Sequence, residues 1–255
     1  MLNSVSHING STIAAADGDI GSVKEAYFDD ESWTIRYLVV DTGTWLSERK
    51  VLISPYSIKQ PLTEKRIDVR LTRQQVQDSP DIDTHQPVSR RLERQYLSYY
   101  AYPTYWGGEG LWAMGGVPIL PPVTPPPEVQ AEVRARELEE VPPEDVHLRS
   151  SDNVAGYDIQ ATDDSIGHVK DFIFDDESWA IRYLVVDTRN WLPGGKKVLI
   201  ATHWIDGIDW DQKQVTVRLT REQIKNSPEY DEEAIVSREY EQRLHDAYGR
   251  PGYWD

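Results

Sequence analysis

Two runs of carboxylates, Asp29-Asp30-Glu31 and Asp175-Asp176-Glu177, are the side chains best placed by type and spacing to bind a hard cation or share a proton transfer. Each run leads into Ser-Trp and a β-branched stretch, which puts the acids at a hairpin tip. Successive strand residues point apart, and no His or Lys stands beside either run. The expectation is a solvated acidic turn that keeps hairpin edges from pairing. A metal-dependent enzyme using the repeated acids is the alternative. His7, His85, His147, His168, His203 and His245 show no HxxxH or HExxH spacing, so surface or capping positions are expected for them. Gly108-x-Gly110-x-x-Ala113 has the letters of a dinucleotide fingerprint, but prolines stand where its helix should follow. There is no Walker loop, no GxSxG and no cysteine. No catalytic, cofactor-binding or metal-ligating residue emerges, and a non-enzymatic protein without a cofactor is expected.

Aromatic residues are the other candidates, because Trp and Tyr dominate interface energetics. The sequence has nine tryptophans. Trp33, Trp45, Trp179 and Trp191 recur at equivalent places near strand ends. The tails hold Tyr99, Tyr100 and Trp106, then Tyr240, Tyr248 and Trp254. These ten form the candidate interaction or lobe-packing set, with each tail expected to pack on the other lobe.

The positions repeat because the chain does. Residues 29–42 (DDESWTIRYLVVDT) and 175–188 (DDESWAIRYLVVDT) agree at thirteen of fourteen positions, at an offset of 146. The offset becomes 147 at Lys50-Val51-Leu52-Ile53 and 148 at Val69-Arg70-Leu71-Thr72-Arg73. Both insertions fall near turn residues, as insertions should. Two repeats follow, 1–106 and 148–255, joined by a Gly- and Pro-rich, then acidic, linker over 107–147. Within each repeat Trp33–Thr42 and its copy read as strands apolar on both faces, with Ile35, Tyr37 and Val39 opposite Leu38 and Val40. Ile67, Val69 and Leu71 alternate as a half-buried strand should. Thr72-x-x-Gln75 and Thr220-x-x-Gln223 predict capping boxes. A second helix is predicted from Ser89 with Leu92, Tyr96 and Tyr99 on its apolar face, and from Ser237 with Tyr240, Leu244 and Tyr248.

Asp17 to Val23 with its Ile-Gly, followed by the hairpin into Ile-Arg-Tyr-Leu-Val-Val-Asp, resembles the PRC-barrel domain, and so does Asp163 to Val169 with Trp179 to Thr188. That barrel occurs in the photosynthetic reaction-centre H subunit and in a 16S rRNA maturation factor. The resemblance implies about six strands per repeat and use as an adaptor surface. The expected fold is mainly β with short C-terminal helices: two small PRC-type barrels, related by duplication and a pseudo-two-fold axis. No counterpart of the H subunit's membrane helix or of the maturation factor's N-terminal domain is expected from this sequence. Stand-alone bacterial members, tied to stress or photosynthetic complexes, are nearer in pattern.

Net charge is −16, divided −2, −6 and −8 over residues 1–106, 107–148 and 149–255. Such a surface repels phosphates, so direct nucleic-acid binding is not expected, although a basic ribosomal partner fits. No stretch is apolar enough to span a membrane and no export leader is read at the start, which makes the cytoplasm the expected compartment. The reading is an adaptor or scaffold whose two barrels pair within the chain and bind unidentified protein partners. A ribosome-assembly or RNA-associated factor is the second alternative.

Overall fold

The computed structural model of the protein describes residues 1–47, 49–62, 65–80, 88–105, 147–189 and 194–254. The expected linker, apart from His147, lies outside them, as do Trp106 and Trp191. Two compact units result. The repeat-1 unit holds Ile8–Arg149 together with Glu177–Trp179, and the repeat-2 unit holds Met1–His7, Ser150–Asp176 and Ala180–Asp255.

In chain order the first repeat contributes β1 (Leu2–Ser4), α1 (Val5–Ile8), β2 (Thr12–Ala15), β3 (Gly18–Asp29), β4 (Thr34–Asp41), β5 (Lys50–Ile53), β6 (Arg66–Asp68), α2 (Arg73–Gln77) and α3 (Arg90–Tyr99). The second contributes β7 (Leu148–Ser150), α4 (Ser151–Val154), β8 (Asp158–Gln160), β9 (Ser165–Asp175), β10 (Ile181–Asp187), β11 (Lys197–Ala201), β12 (Ile205–Asp209), β13 (Gln214–Val217), α5 (Arg221–Asn226) and α6 (Arg238–Tyr248). The fold is mainly β with short helices closing each repeat, as the sequence predicts.

In the repeat-1 unit the strands run β5-β4-β3-β2-β6, with β2 and β6 parallel and the other neighbours antiparallel. In the repeat-2 unit they run β11-β10-β9-β8-β13-β12. Neither path closes on itself among the described residues. The long strand of each sheet also takes one more partner. β9 pairs with β8 over Ser165–His168, and further along it pairs with β1 in the register Leu2↔Asp175, Asn3↔Phe174 and Ser4↔Ile173. β3 likewise pairs with β7. The first strand of each repeat therefore completes the sheet that the other repeat builds.

The Ile-Gly pairs have a physical reason. A Cβ on Gly21 would lie 2.0 Å from the Asp41 carbonyl oxygen, and one on Gly167 would lie 2.5 Å from that of Asp187. Only glycine lets the long strand pass so close to its neighbour's backbone. β4 is buried on both faces, as expected of a strand with Ile35, Tyr37 and Val39 opposed to Leu38 and Val40. Ile67, Val69 and Leu71 are buried while Asp68 and Arg70 are exposed. Both predicted capping boxes form: Thr72 and Thr220 each accept from the backbone of the glutamine three residues on, which returns the bond.

Candidate functional site

The helix α3 begins at Ser89, whose side chain accepts from the Leu92 amide. Of the Leu92–Tyr96–Tyr99 stripe that hydrophobic spacing predicts, Tyr96 is buried and Leu92 packs partly buried beside it, but Tyr99 is not part of the inner face. Arg90, Glu93 and Leu97 are buried with Tyr96, and Tyr99 is 41% exposed. A charged pair thus lies on the inner face, which hydrophobic spacing could not indicate. α6 buries Glu241 and His245 together with the predicted Leu244 and Tyr248.

Around Glu93 the polar groups converge from three elements. Tyr37 of β4 donates its hydroxyl to Glu93 Oε1 at 3.1 Å, and Tyr105 donates to the same oxygen. Arg90 Nη1 lies 3.7 Å from Oε2, while its Nη2 reaches Asp29 Oδ2 at 3.3 Å. Arg36 sits 3.8 Å above the Tyr105 ring and donates to Ser32 Oγ at 2.9 Å. Ser32 in turn donates through its backbone and hydroxyl to Asp29 Oδ1 at 2.8 and 2.7 Å. Glu93 is 0% exposed, and burial pushes its carboxyl up to about 7. Burial also raises the Tyr37 and Tyr105 hydroxyls and lowers the Arg36 guanidinium.

The repeat-2 unit builds the same constellation at the matching positions. Tyr183 and Tyr253 donate to Glu241 Oε1 at 2.8 and 2.9 Å, and Arg238 Nη1 meets Oε2 at 3.1 Å. Arg182 lies 4.4 Å over the Tyr253 ring and 3.6 Å from Asp175. One partner is new. His245, in the place of Leu97, sets Nε2 3.0 Å from the Tyr183 hydroxyl, with Nδ1 2.8 Å from the Pro251 carbonyl. Nδ1 must donate to that carbonyl. The Tyr183 hydroxyl thus stands between Glu241 Oε1 and His245 Nε2. His245 is 1% exposed, which corrects the expectation of surface or capping histidines.

The acidic tips are only partly solvated: Glu31 and Glu177 are exposed, but Asp30 and Asp176 are engaged. In the repeat-1 unit Asp30 accepts from Arg149 Nε at 2.7 Å and lies 3.4 Å from His147 Nδ1, which also lies 3.5 Å from Glu31. In the repeat-2 unit Asp176 accepts from Asn3 Nδ2 at 3.0 Å and meets the Met1 amino group. The tips hold the strand that arrives from the other repeat. The cation that sequence proximity could not supply comes from more than a hundred residues away. Among the described residues no three His, Asp or Glu side chains converge as a metal site needs. An open recess lined by Lys196, Lys197, Tyr230 and Glu232 has its cations engaged: Lys196 by the Ser227 carbonyl, Lys197 by Glu232.

The candidate aromatics have diverse places. Trp33 stacks on Phe28 at 5.4 Å. Trp179 is 1% exposed, and its carbonyl accepts from the Ile35 amide at 2.8 Å. Both hold φ near the left-handed region, at 52° and 62°, which is uncommon for a bulky residue. Trp45 donates to the Ile20 carbonyl under the Arg73 guanidinium. Tyr99 and Tyr100 both reach the Gln75 carbonyl, at 2.9 and 3.5 Å. Tyr240 reaches the Pro228 carbonyl at 3.5 Å, Tyr248 is buried beside Trp204, and Trp254 packs between His245 and Arg238. The tails therefore dock on their own repeats, which corrects the expectation that each packs on the other. First strands, not tails, are exchanged. Glu93, Arg90, Glu241 and Arg238 went unread in the sequence. Their signal is Arg-x-x-Glu after Val-Ser and Pro-x-Tyr-Trp beyond it, each present twice at an offset of 148.

Comparison with known proteins gives two findings. The PRC-barrel domain profile matches residues 3–75 and again 148–224. A protein of Deinococcus radiodurans, named only as an uncharacterized protein, is 32% identical over 100 residues, covering 36% of this chain and 34% of that relative. The chain thus spans about a third of that relative's length. Among the described residues no helix is long and apolar enough to cross a membrane.

Proposed function

The chain belongs to the PRC-barrel domain family, carrying the domain twice, and on that footing we propose that it is a non-enzymatic adaptor whose two repeats pair within one chain and that binds protein partners. The observation that carries the reading is the reciprocal exchange of β1 and β7 into the two sheets. Covalent duplication raises the effective concentration of each strand for its dock, so a weak three-residue ladder suffices to hold it. The side chains most able to do chemistry support a binding role over catalysis: Asp30 and Asp176 hold incoming strands, and Glu93 and Glu241 bind tyrosines and arginines of their own units. A net charge of −16 favours protein over nucleic acid as the partner.

The pairing is tested by placing a protease site between residues 107 and 146 and cutting the purified protein. The two fragments are expected to co-elute at the intact mass and to separate only on unfolding. Free fragments without denaturant would sink the pairing. Crosslinking in the native cell tests the adaptor role. Protein crosslinks at fixed stoichiometry are expected, and RNA crosslinks alone would replace this reading with the RNA-associated one.

A further inference from the structure

The exchanged strands are read only by local contacts. In the repeat-2 unit β1 is held by its ladder on β9, by the Asp176 amide donating to the Met1 carbonyl at 2.9 Å, and by Asn3 on Asp176. Asp171 then caps the following turn, accepting from the Ser6 amide at 3.1 Å and from the Ser6 hydroxyl. Val5 is buried there. The chain passes to the other unit between His7 and Ile8. In the repeat-1 unit the Asp30 amide donates to the His147 carbonyl at 3.0 Å, Arg149 meets Asp30, and Leu148 enters the cluster of Tyr27, Tyr37 and Tyr96. Leu2 and Leu148, and Ser4 and Ser150, occupy matching places at the offset of 146.

None of these contacts depends on which molecule supplies the strand. We propose that each dock also accepts the first strand of a second copy of this chain, so that two copies associate by reciprocal exchange of β1 and β7. The proposal rests on the exchange within one chain being the ground state. Exchange within the chain competes through an effective concentration on the order of millimolar, so the dimer forms where copies fold together at about that concentration.

Because the sequence has no cysteine, engineered thiols report the topology cleanly. Leu2 and Asp175 face each other in the ladder and both are half-buried, and closure of the double variant shows that the dock survives the loss of the Asp175–Arg182 pair. Antiparallel partners lie within disulfide reach. Two full-length variants, Leu2→Cys and Asp175→Cys, are unfolded, mixed, refolded together and oxidised. The double variant Leu2→Cys/Asp175→Cys serves as the control for exchange within one chain. The control is expected to close without a change in mass. The mixed chains are expected to give a disulfide-linked heterodimer in roughly a quarter of the molecules after refolding near 1 mM, and on the order of a few hundredfold less near 1 µM. A control that closes while the mixture yields no heterodimer at either concentration overturns the second-copy proposal and leaves the adaptor reading standing. A control that does not close overturns both.

Discussion

The two units carry one constellation in two states of closure. Around Glu93 everything is sealed: carboxylate, both tyrosines and Arg90 are buried. Around Glu241 the carboxylate is as deeply placed, but the Arg238 side chain is 56% exposed and Tyr253 is half-buried. His245 adds a second proton-bearing group where the first repeat has Leu97. A duplicated site keeps the residues that hold helix to sheet and drifts in whatever sets its access to water. The sealed copy raises its carboxyl to about 7, whereas the open copy can hydrate its arginine.

Removing the carboxylate should separate the copies most. Glu93→Ala leaves two buried hydroxyls and a buried guanidinium facing a void and is expected to cost about 3–5 kcal/mol. Glu241→Ala is expected to cost about 1–2 kcal/mol, because water reaches Arg238. Hydrogen exchange at Leu97 in one variant and Leu244 in the other checks this; equal losses would end the distinction between sealed and open.

The next test is pH. The Glu93 carboxyl sits above its ordinary value of 4.5, at about 7. Between those values the folded unit holds a proton that the unfolded chain releases. Its contribution is therefore fully present below 4.5, falls as pH rises through the window, and is lost above about 7. A decline of the order of 1–3 kcal/mol in the repeat-1 unit is expected, measured by urea unfolding at pH 4.5 and pH 8. Glu93→Gln should flatten it.

Strand clamps come third. Asp30→Asn weakens the hold on Arg149, and Asp176→Asn the hold on Asn3. Each is expected to cost about 1 kcal/mol, seen as faster exchange of the β7 or β1 amides respectively. The smallest effect concerns helix ends. Gly249 ends α6 at φ 62°, and Ala101 takes φ 56° in the same place after α3. Gly249→Ala is expected to cost about 1 kcal/mol, and Ala101→Gly to gain about 0.5–1 kcal/mol in thermal melts.

Strand-level features were legible because local pattern decides them. The repeated Ile-Gly, the doubly apolar β4 and the Thr-x-x-Gln caps all follow from neighbours in sequence. Membership in the PRC-barrel family was legible for the same reason. The inner face of α3 was not. Apolar spacing selects Leu92 and Tyr99, but Arg90 and Glu93 are buried because Asp29 and Tyr37, far away in the chain, satisfy them. Nor could the acidic tips disclose their purpose, since Asp30 meets a residue 119 positions away. The folding of each tail onto its own repeat, through Tyr105 and Tyr253, was equally a matter of partners at a distance.

The pairing of Leu2 with Asp175 sets a timetable for synthesis. Leu2 leaves the ribosome well before its partner, whose strand is made only after more than 170 further residues have been added. At about 5–20 residues per second that interval is roughly 10–35 seconds. Throughout it the nascent segment is an unpaired strand, and the edge of β3 waits similarly for Leu148. The gene's order of translation, and any chaperone that meets the emerging chain, thus act on a strand whose mate does not yet exist.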